Sequence, residues 1–184
     1  MFSSRAVIVA SISILTGSAS ADIIEFNFFL SGDQEIPPVD TDAVGVAQML
    51  YDTDTRTFDL DVMVFGIGLD ELHEAGPNGT EMHIHNAPAG SNGAIVVDVG
   101  FFSDFFEDGL GIRFRLEDQL LGGQPGNIFT DPATNEASLF AGNLYMNIHT
   151  MDHPTGELRG QILPAPGAMA ILSLGALAAA RRRR

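Results

Sequence analysis

Along the middle of this chain, apolar side chains recur at every second position. In Asp22 to Leu30, Ile24, Phe26, Phe28 and Leu30 fall on one face, with Glu25 and Asn27 on the other. In Thr57 to Phe65, Phe58, Leu60, Val62 and Val64 oppose Asp59 and Asp61. In Ile112 to Leu116, Ile112, Phe114 and Leu116 oppose Arg113 and Arg115. Side chains alternate between the two faces of an extended chain, so this strict period predicts strands with one face buried and one wet. Ala43 to Tyr51, Ala94 to Val99, Asn143 to His149 and Glu157 to Leu163 are further strand candidates, and Asp52-Thr53-Asp54-Thr55 reads as a turn between two strands. Two stretches break the pattern. Phe101 to Gly109 reads as an aromatic, acidic insert, and Asp131 to Gly142 as a short helix capped by Asp131 with Pro132 in its first turn. Many short strands separated by Gly and Pro turns predict an all-β sandwich or barrel over residues 22–163.

With 184 residues, that middle segment is long enough to bury a core without staples. The absence of cysteine excludes disulfides and thiolate metal sites, so any metal must be held by His, carboxylate or backbone oxygen. The net charge of −15 understates the acidity of the middle, where all 24 acids face four arginines (Arg56, Arg113, Arg115 and Arg159), a net of −20. Such a surface repels nucleic acid and anionic lipid and favours solubility, so no nucleic-acid partner is expected. Catalytic signatures are missing. There is no Gly-x-Ser-x-Gly and no Gly-rich phosphate loop after a strand, and Asp52-x-Asp54-x-Arg56 departs from a calcium loop where Arg56 replaces a ligand.

The two ends read differently. Arg5, an apolar run from Ala6 to Leu15 and the small-residue site Ala19-Ser20-Ala21 form the pattern of a secretory signal helix over residues 1–21, cleaved before Asp22. At the other end, Pro164-Ala165-Pro166 precedes an uncharged apolar stretch and then Arg181 to Arg184. A helix from Gly167 to Ala180 would reach about 21 Å, short of the roughly 30 Å of a bilayer core. Residues 164–184 resemble the PEP-CTERM sorting signals of Gram-negative bacteria, with Ala165 in place of the Glu of the family name. That resemblance implies export across the inner membrane, transient membrane anchoring through the tail, and cleavage by an exosortase-type enzyme. The cell surface or the extracellular space is then the expected location.

Three further motifs follow in order. They are Leu30-Ser31-Gly32-Asp33-Gln34-Glu35-Ile36-Pro37-Pro38-Val39, then Met82-His83-Ile84-His85-Asn86-Ala87-Pro88 continuing to Asn92-Gly93, and then Leu144-Tyr145-Met146-Asn147-Ile148-His149-Thr150 with His153-Pro154-Thr155-Gly156-Glu157-Leu158-Arg159-Gly160-Gln161-Ile162. Together they resemble the CHRD domain, named for its occurrence in chordin, over about residues 25–163. The resemblance implies an immunoglobulin-like antiparallel β-sandwich and an extracellular setting, and no established activity. Read for themselves, the prolines end a strand, Asn92-Gly93 is a tight turn, and Asn147 to Gln161 is a hairpin with Thr150 to Thr155 as its loop. Glu157, Arg159 and Gln161 share one face, where Arg159 is expected to pair with Glu157 or a neighbouring acid in an exposed ion pair.

His83 and His85 lie two apart in a strand and so point to one face. If the second and third motifs lie side by side, His149 completes a three-histidine cluster suited to zinc or copper. The alternative use of the same rings is structural hydrogen bonding, one donor and one acceptor each. Two functional readings result. One is an exported, non-catalytic domain that binds a surface or extracellular-matrix component. The other is a copper or zinc protein, metal-binding or redox, built on His83, His85 and His149.

Overall fold

The alternating segments are strands, and their buried faces set the register. Strands β1 (Ile23–Ser31), β2 (Val44–Asp52) and β3 (Thr57–Phe65) pair antiparallel along their whole lengths, with Phe26 opposite Met49 and Met49 opposite Leu60. The β2–β3 turn closes where Asp52 Oδ1 accepts from the amides of Asp54 (2.8 Å) and Thr55 (3.1 Å), as the Asp-rich sequence implied. Next come β4 (Met82–Asn86), β5 (Ala94–Asp98), β6 (Asp104–Glu107) and β7 (Ile112–Leu120). Helix α1 (Pro132–Phe140) and strands β8 (Leu144–Ile148) and β9 (Leu158–Ile162) complete the domain. In α1 the Asp131 carboxylate caps the amides of Ala133 and Thr134 behind Pro132, as expected. This is a computed structural model, and it describes residues 22–74, 80–100, 104–107, 109, 111–122 and 131–164. The expected signal segment, and the tail beyond Pro164, lie outside the described residues. Among the described residues, no helix is long and apolar enough to cross a membrane.

Two expectations need correction. The segment from Phe101 to Gly109 is not wholly an insert, because it contains the edge strand β6, which pairs with β7. Strand β7 runs on past Leu116 to Leu120. Its alternation breaks at a bulge, where the register against β3 shifts between Phe58 and Leu60. There Asp118 takes a positive φ (53°) and its amide donates to Asp59 Oδ1 at 2.9 Å.

All nine strands belong to one antiparallel sheet in the order β5-β4-β8-β9-β1-β2-β3-β7-β6. The expected all-β architecture is present, but as a continuous sheet that curls on itself rather than as two separate sheets. Its halves meet at the seam of β1 and β9, at the pair Ser31 and Arg159, with a further bridge between Phe26 and Pro164. Gly160 makes the seam close, because a Cβ there would lie 2.9 Å from the Phe29 carbonyl oxygen and 2.9 Å from Leu30 Cγ. One apolar core fills the curl, drawing Phe26, Met49, Leu60 and Phe114 from one half and Ile84 and Met146 from the other, each almost fully buried. Each such side chain contributes about 1.5–3 kcal/mol by leaving water. The Phe140 ring on α1 closes one end, 6.3 Å from Phe26 and edge-on to Tyr51.

Strands β8 and β9 are buried along their whole lengths. One face, with Met146, Ile148 and Leu158, lies on the core. The other is polar, and the functional question centres on it.

Candidate metal centre

Pairing places the polar side chains of three strands in rows. His85 is opposite Tyr145, which is opposite Gln161, and His83 is opposite Asn147, which is opposite Arg159. Two loops roof this layer, and each comes from a motif singled out in the sequence. Glu35 accepts a hydrogen bond from Asn147 Nδ2, and Gln34 Oε1 accepts from the Gln161 amide at 3.2 Å. On the other side, Arg159 donates to the Ser91 carbonyl (2.9 Å), and Asn92 Nδ2 ties the two loops by donating to the Ile36 carbonyl (2.9 Å). The second loop turns at Ala89-Gly90, where Gly90 has φ 81°, and not at Asn92-Gly93 as the sequence implied. Gly93 has another reason to be glycine, since a Cβ there would stand 1.9 Å from the Asn86 carbonyl oxygen.

Among the described residues, Arg159 does not form the expected ion pair. Arg159 is 1% exposed, its guanidinium lies 3.5 Å over the Tyr145 ring, and its other partners are Asn92 Oδ1, Gln161 Oε1 and the Pro88 carbonyl. Glu157 turns instead to hydroxyls, accepting from Thr41 (2.7 Å) and Thr150 (2.5 Å). Period two assigned Arg159 to the correct face; the roof that buries that face is built from distant sequence.

The three histidines singled out in the sequence come together. Their ring centroids are 5.0 Å (His83–His149), 5.7 Å (His83–His85) and 6.4 Å (His85–His149) apart. One nitrogen from each lies within 4.8 Å of the other two. His83 is fully buried and His149 is 6% exposed.

The hydrogen bonds on the far sides of the rings fix which nitrogens face inward. His85 Nδ1 donates to the Gly93 carbonyl at 3.0 Å, leaving Nε2 with its lone pair, and that buried Nε2 has no partner among the described residues. His149 Nδ1 donates to the Pro154 carbonyl at 3.1 Å, which leaves its Nε2 as an acceptor. Thr80 Oγ1 donates to the Asp98 carboxylate and lies 3.1 Å from His83 Nε2. His83 Nδ1 and His149 Nε2 stand 3.0 Å apart, at hydrogen-bond distance. A proton bridges two imidazole nitrogens at that distance, and a metal ion would take the place of that proton. The bare Nε2 of His85 adds a third donor. Each ring is thus held from behind by a carbonyl or by a hydroxyl–carboxylate pair, the kind of outer shell that orients metal-ligating histidines.

Burial depresses the proton affinity of two of the rings. His85 is held down to about 4, chiefly by desolvation, with smaller contributions from His149 and the Arg159 charge, against the Gly93 hydrogen bond. His149 is also lowered, first by desolvation. Both therefore present lone pairs at neutral pH, as ligation requires.

The three motifs that built this layer also identify the chain. The family model for the CHRD domain matches residues 26–162. The chain belongs to the CHRD family. No curated protein and no solved structure was found to match it. Within this CHRD domain, Thr80, Asp98, Glu35 and Tyr145 were missed by sequence reasoning as parts of the site. Glu35 and Tyr145 stood inside the quoted motifs without a role, and Asp98 was an acid at the end of the apolar run Ala94-Ile95-Val96-Val97.

Glu35 gives the layer its own pH dependence. Burial raises its carboxyl to about 7, against the Arg159 charge and hydrogen bonds from Asn147 and the Ile36 amide. The folded state therefore holds a proton that the unfolded chain releases near 4.5. The contribution of Glu35 to stability is complete below that value and is lost as pH rises through 7. His85 runs the other way: its contribution is present above 6.5 and lost as pH falls toward 4. Comparing Glu35→Gln with the parent isolates the first effect. Denaturant unfolding should show the variant gaining on the parent by about 1–3 kcal/mol between roughly pH 4.5 and 7, with no further gain above. A constant difference across that range would mean that Glu35 is already ionised throughout.

Proposed function

We propose that this CHRD protein is a non-catalytic, extracytoplasmic metal-binding protein that holds one copper or zinc ion through His83, His85 and His149. The observation that supports this most is the convergence of three imidazoles, one nitrogen of each within 4.8 Å of the other two, with each ring held by a hydrogen bond on its far side. His83 Nδ1, His85 Nε2 and His149 Nε2 would be the ligands. The curled sheet is then read as an immunoglobulin-like sandwich, with the metal layer under the roof loops of its β5-β4-β8-β9 half. The signal pattern of residues 1–21 and the PEP-CTERM-like tail would export the domain across the inner membrane and anchor it transiently. An exosortase-type enzyme would then release it to the surface or the extracellular space. There the −20 middle of the chain keeps it soluble and apart from nucleic acid.

The test is elemental analysis and mass spectrometry of tag-free protein from its native envelope fraction. About one equivalent of copper or zinc is expected, on a chain starting at Asp22 and ending near Pro164-Ala165-Pro166. Metal-free protein that stays below about 0.1 equivalent after reconstitution removes the metal reading and leaves a binding domain for a surface or matrix component. Turnover of small redox or ester substrates at enzyme-like rates would remove the non-catalytic reading.

A further inference from the structure

We infer that the ion this site selects is monovalent copper. The inference rests on the metal-binding reading and names the occupant of that same site.

Coordination number is the first argument. Among the described residues the cluster consists of three histidines, with no carboxylate in it. It is also largely buried: His83 is fully buried, His149 is 6% exposed, and the Nε2 of the half-buried His85 is itself covered. Zinc takes four ligands in structural sites, and in catalytic sites it keeps an open position for water. Divalent copper prefers a tetragonal set of nitrogen and oxygen donors. A largely buried set of three imidazole nitrogens provides neither. Monovalent copper, with a filled d shell and a single charge, is satisfied by three donors.

Charge is the second argument. Strand β8 lies between β4 and β9, so Tyr145 stands between His85 and Arg159. The His85 ring stacks on Tyr145 at 4.9 Å and 10°, and the Arg159 guanidinium sits 3.5 Å from the Tyr145 centroid. Arg159 has no carboxylate within ion-pair distance among the described residues. A desolvated cation two layers from the ligand nitrogen penalises each added positive charge at the metal. Asp98 lies on the other side, behind Thr80 and His83, and offsets part of this field. The balance of the two tunes the site, and a single charge costs least.

The experiment is anaerobic titration of the tag-free full chain against a chromophoric Cu(I) chelator, with Zn(II) and Cu(II) as competitors. One equivalent of Cu(I) should bind and survive a roughly hundredfold excess of Zn(II), with X-ray absorption showing three nitrogen donors. Displacement of Cu(I) by Zn(II), or a fourth donor at the copper edge, overturns the inference and leaves the metal reading standing. Failure of all three ions to bind sinks both. The charge argument is read from Arg159→Met, which should cut the preference for Cu(I) over Cu(II) about tenfold, lowering the potential by about 59 mV. If that variant does not fold, Asp98→Asn serves instead, because it keeps an acceptor for Thr80 and should shift the potential upward. An unchanged potential in whichever variant folds overturns the charge argument.

Discussion

Replacing His149 by Ala is expected to weaken metal binding by about 100- to 1,000-fold and to destabilise the metal-free protein by about 1–3 kcal/mol. The first half follows from the size of the binding energy. A structural zinc site supplies roughly 10–16 kcal/mol from four ligands, so one ligand carries about 3 kcal/mol, and each 1.4 kcal/mol is tenfold. The second half follows from the hydrogen bond at 3.0 Å between His83 Nδ1 and His149 Nε2, which the substitution removes together with the bond to the Pro154 carbonyl. Leaving a buried partner unsatisfied costs about 1–3 kcal/mol. Thr80→Val is the companion, since it cuts the link from His83 to Asp98 without touching a ligand. It should cost about 10–100-fold in affinity, the usual size of an outer-shell loss. Isothermal titration and denaturant unfolding of the two variants read both quantities. A His149→Ala protein that keeps parental affinity would exclude His149 as a ligand.

That His149 could be named at all shows what a local pattern carries. Period two put His83 and His85 on one face of a strand, and β4 confirms the extended segment. The third histidine was conditional on β4 and β8 being neighbours, a long-range pairing that no local alternation encodes. The structure supplies it with Asn147 opposite His83. The same boundary runs through the fold. The β2–β3 hairpin was legible to within a residue because both its strands alternate and its turn is built from Asp side chains. The second half of β7 was not, because a bulge at Asp118 breaks the alternation that marks a strand. Strand β6 was not, because the four residues Asp104-Phe105-Phe106-Glu107 show no alternation that would mark Phe105 as the side chain facing the core. Asp98, Thr80 and Glu35 escaped notice because their chemistry lies in being buried together, and burial of a polar face depends on which loops fold over it.

Arg159 is the residue on which that roof depends, and Arg159→Met is expected to destabilise the domain by about 3 kcal/mol. Met fills much of the volume of the arginine stem, so the loss is of hydrogen bonds and stacking rather than of packing. The affected acceptors are not equal. Ser91, Asn92 and Pro88 lie in an exposed loop, so the Ser91 and Pro88 carbonyls and Asn92 Oδ1 can rehydrate at little cost. Gln161 Oε1 belongs to a buried side chain and loses the donor that Arg159 supplied, which costs about 1–3 kcal/mol. The guanidinium over Tyr145 adds about 1–2 kcal/mol as a desolvated cation–π contact. For a domain of this size the sum lowers the melting temperature by about 10 °C. Lysine should not rescue it, because one ammonium cannot replace a planar fork that reaches two loop acceptors and Gln161 at once. The loss should also be local before it is global. Gly93 holds His85 Nδ1, and Tyr145 Oη accepts from the Gly93 amide at 3.1 Å, so a loosened roof frees the ligand ring. Amides of residues 87–93 should then exchange faster in Arg159→Met than in the parent, under conditions where β1–β3 stay protected. Uniform acceleration across both halves of the sheet would show that Arg159 stabilises the whole domain and holds no particular grip on the metal layer.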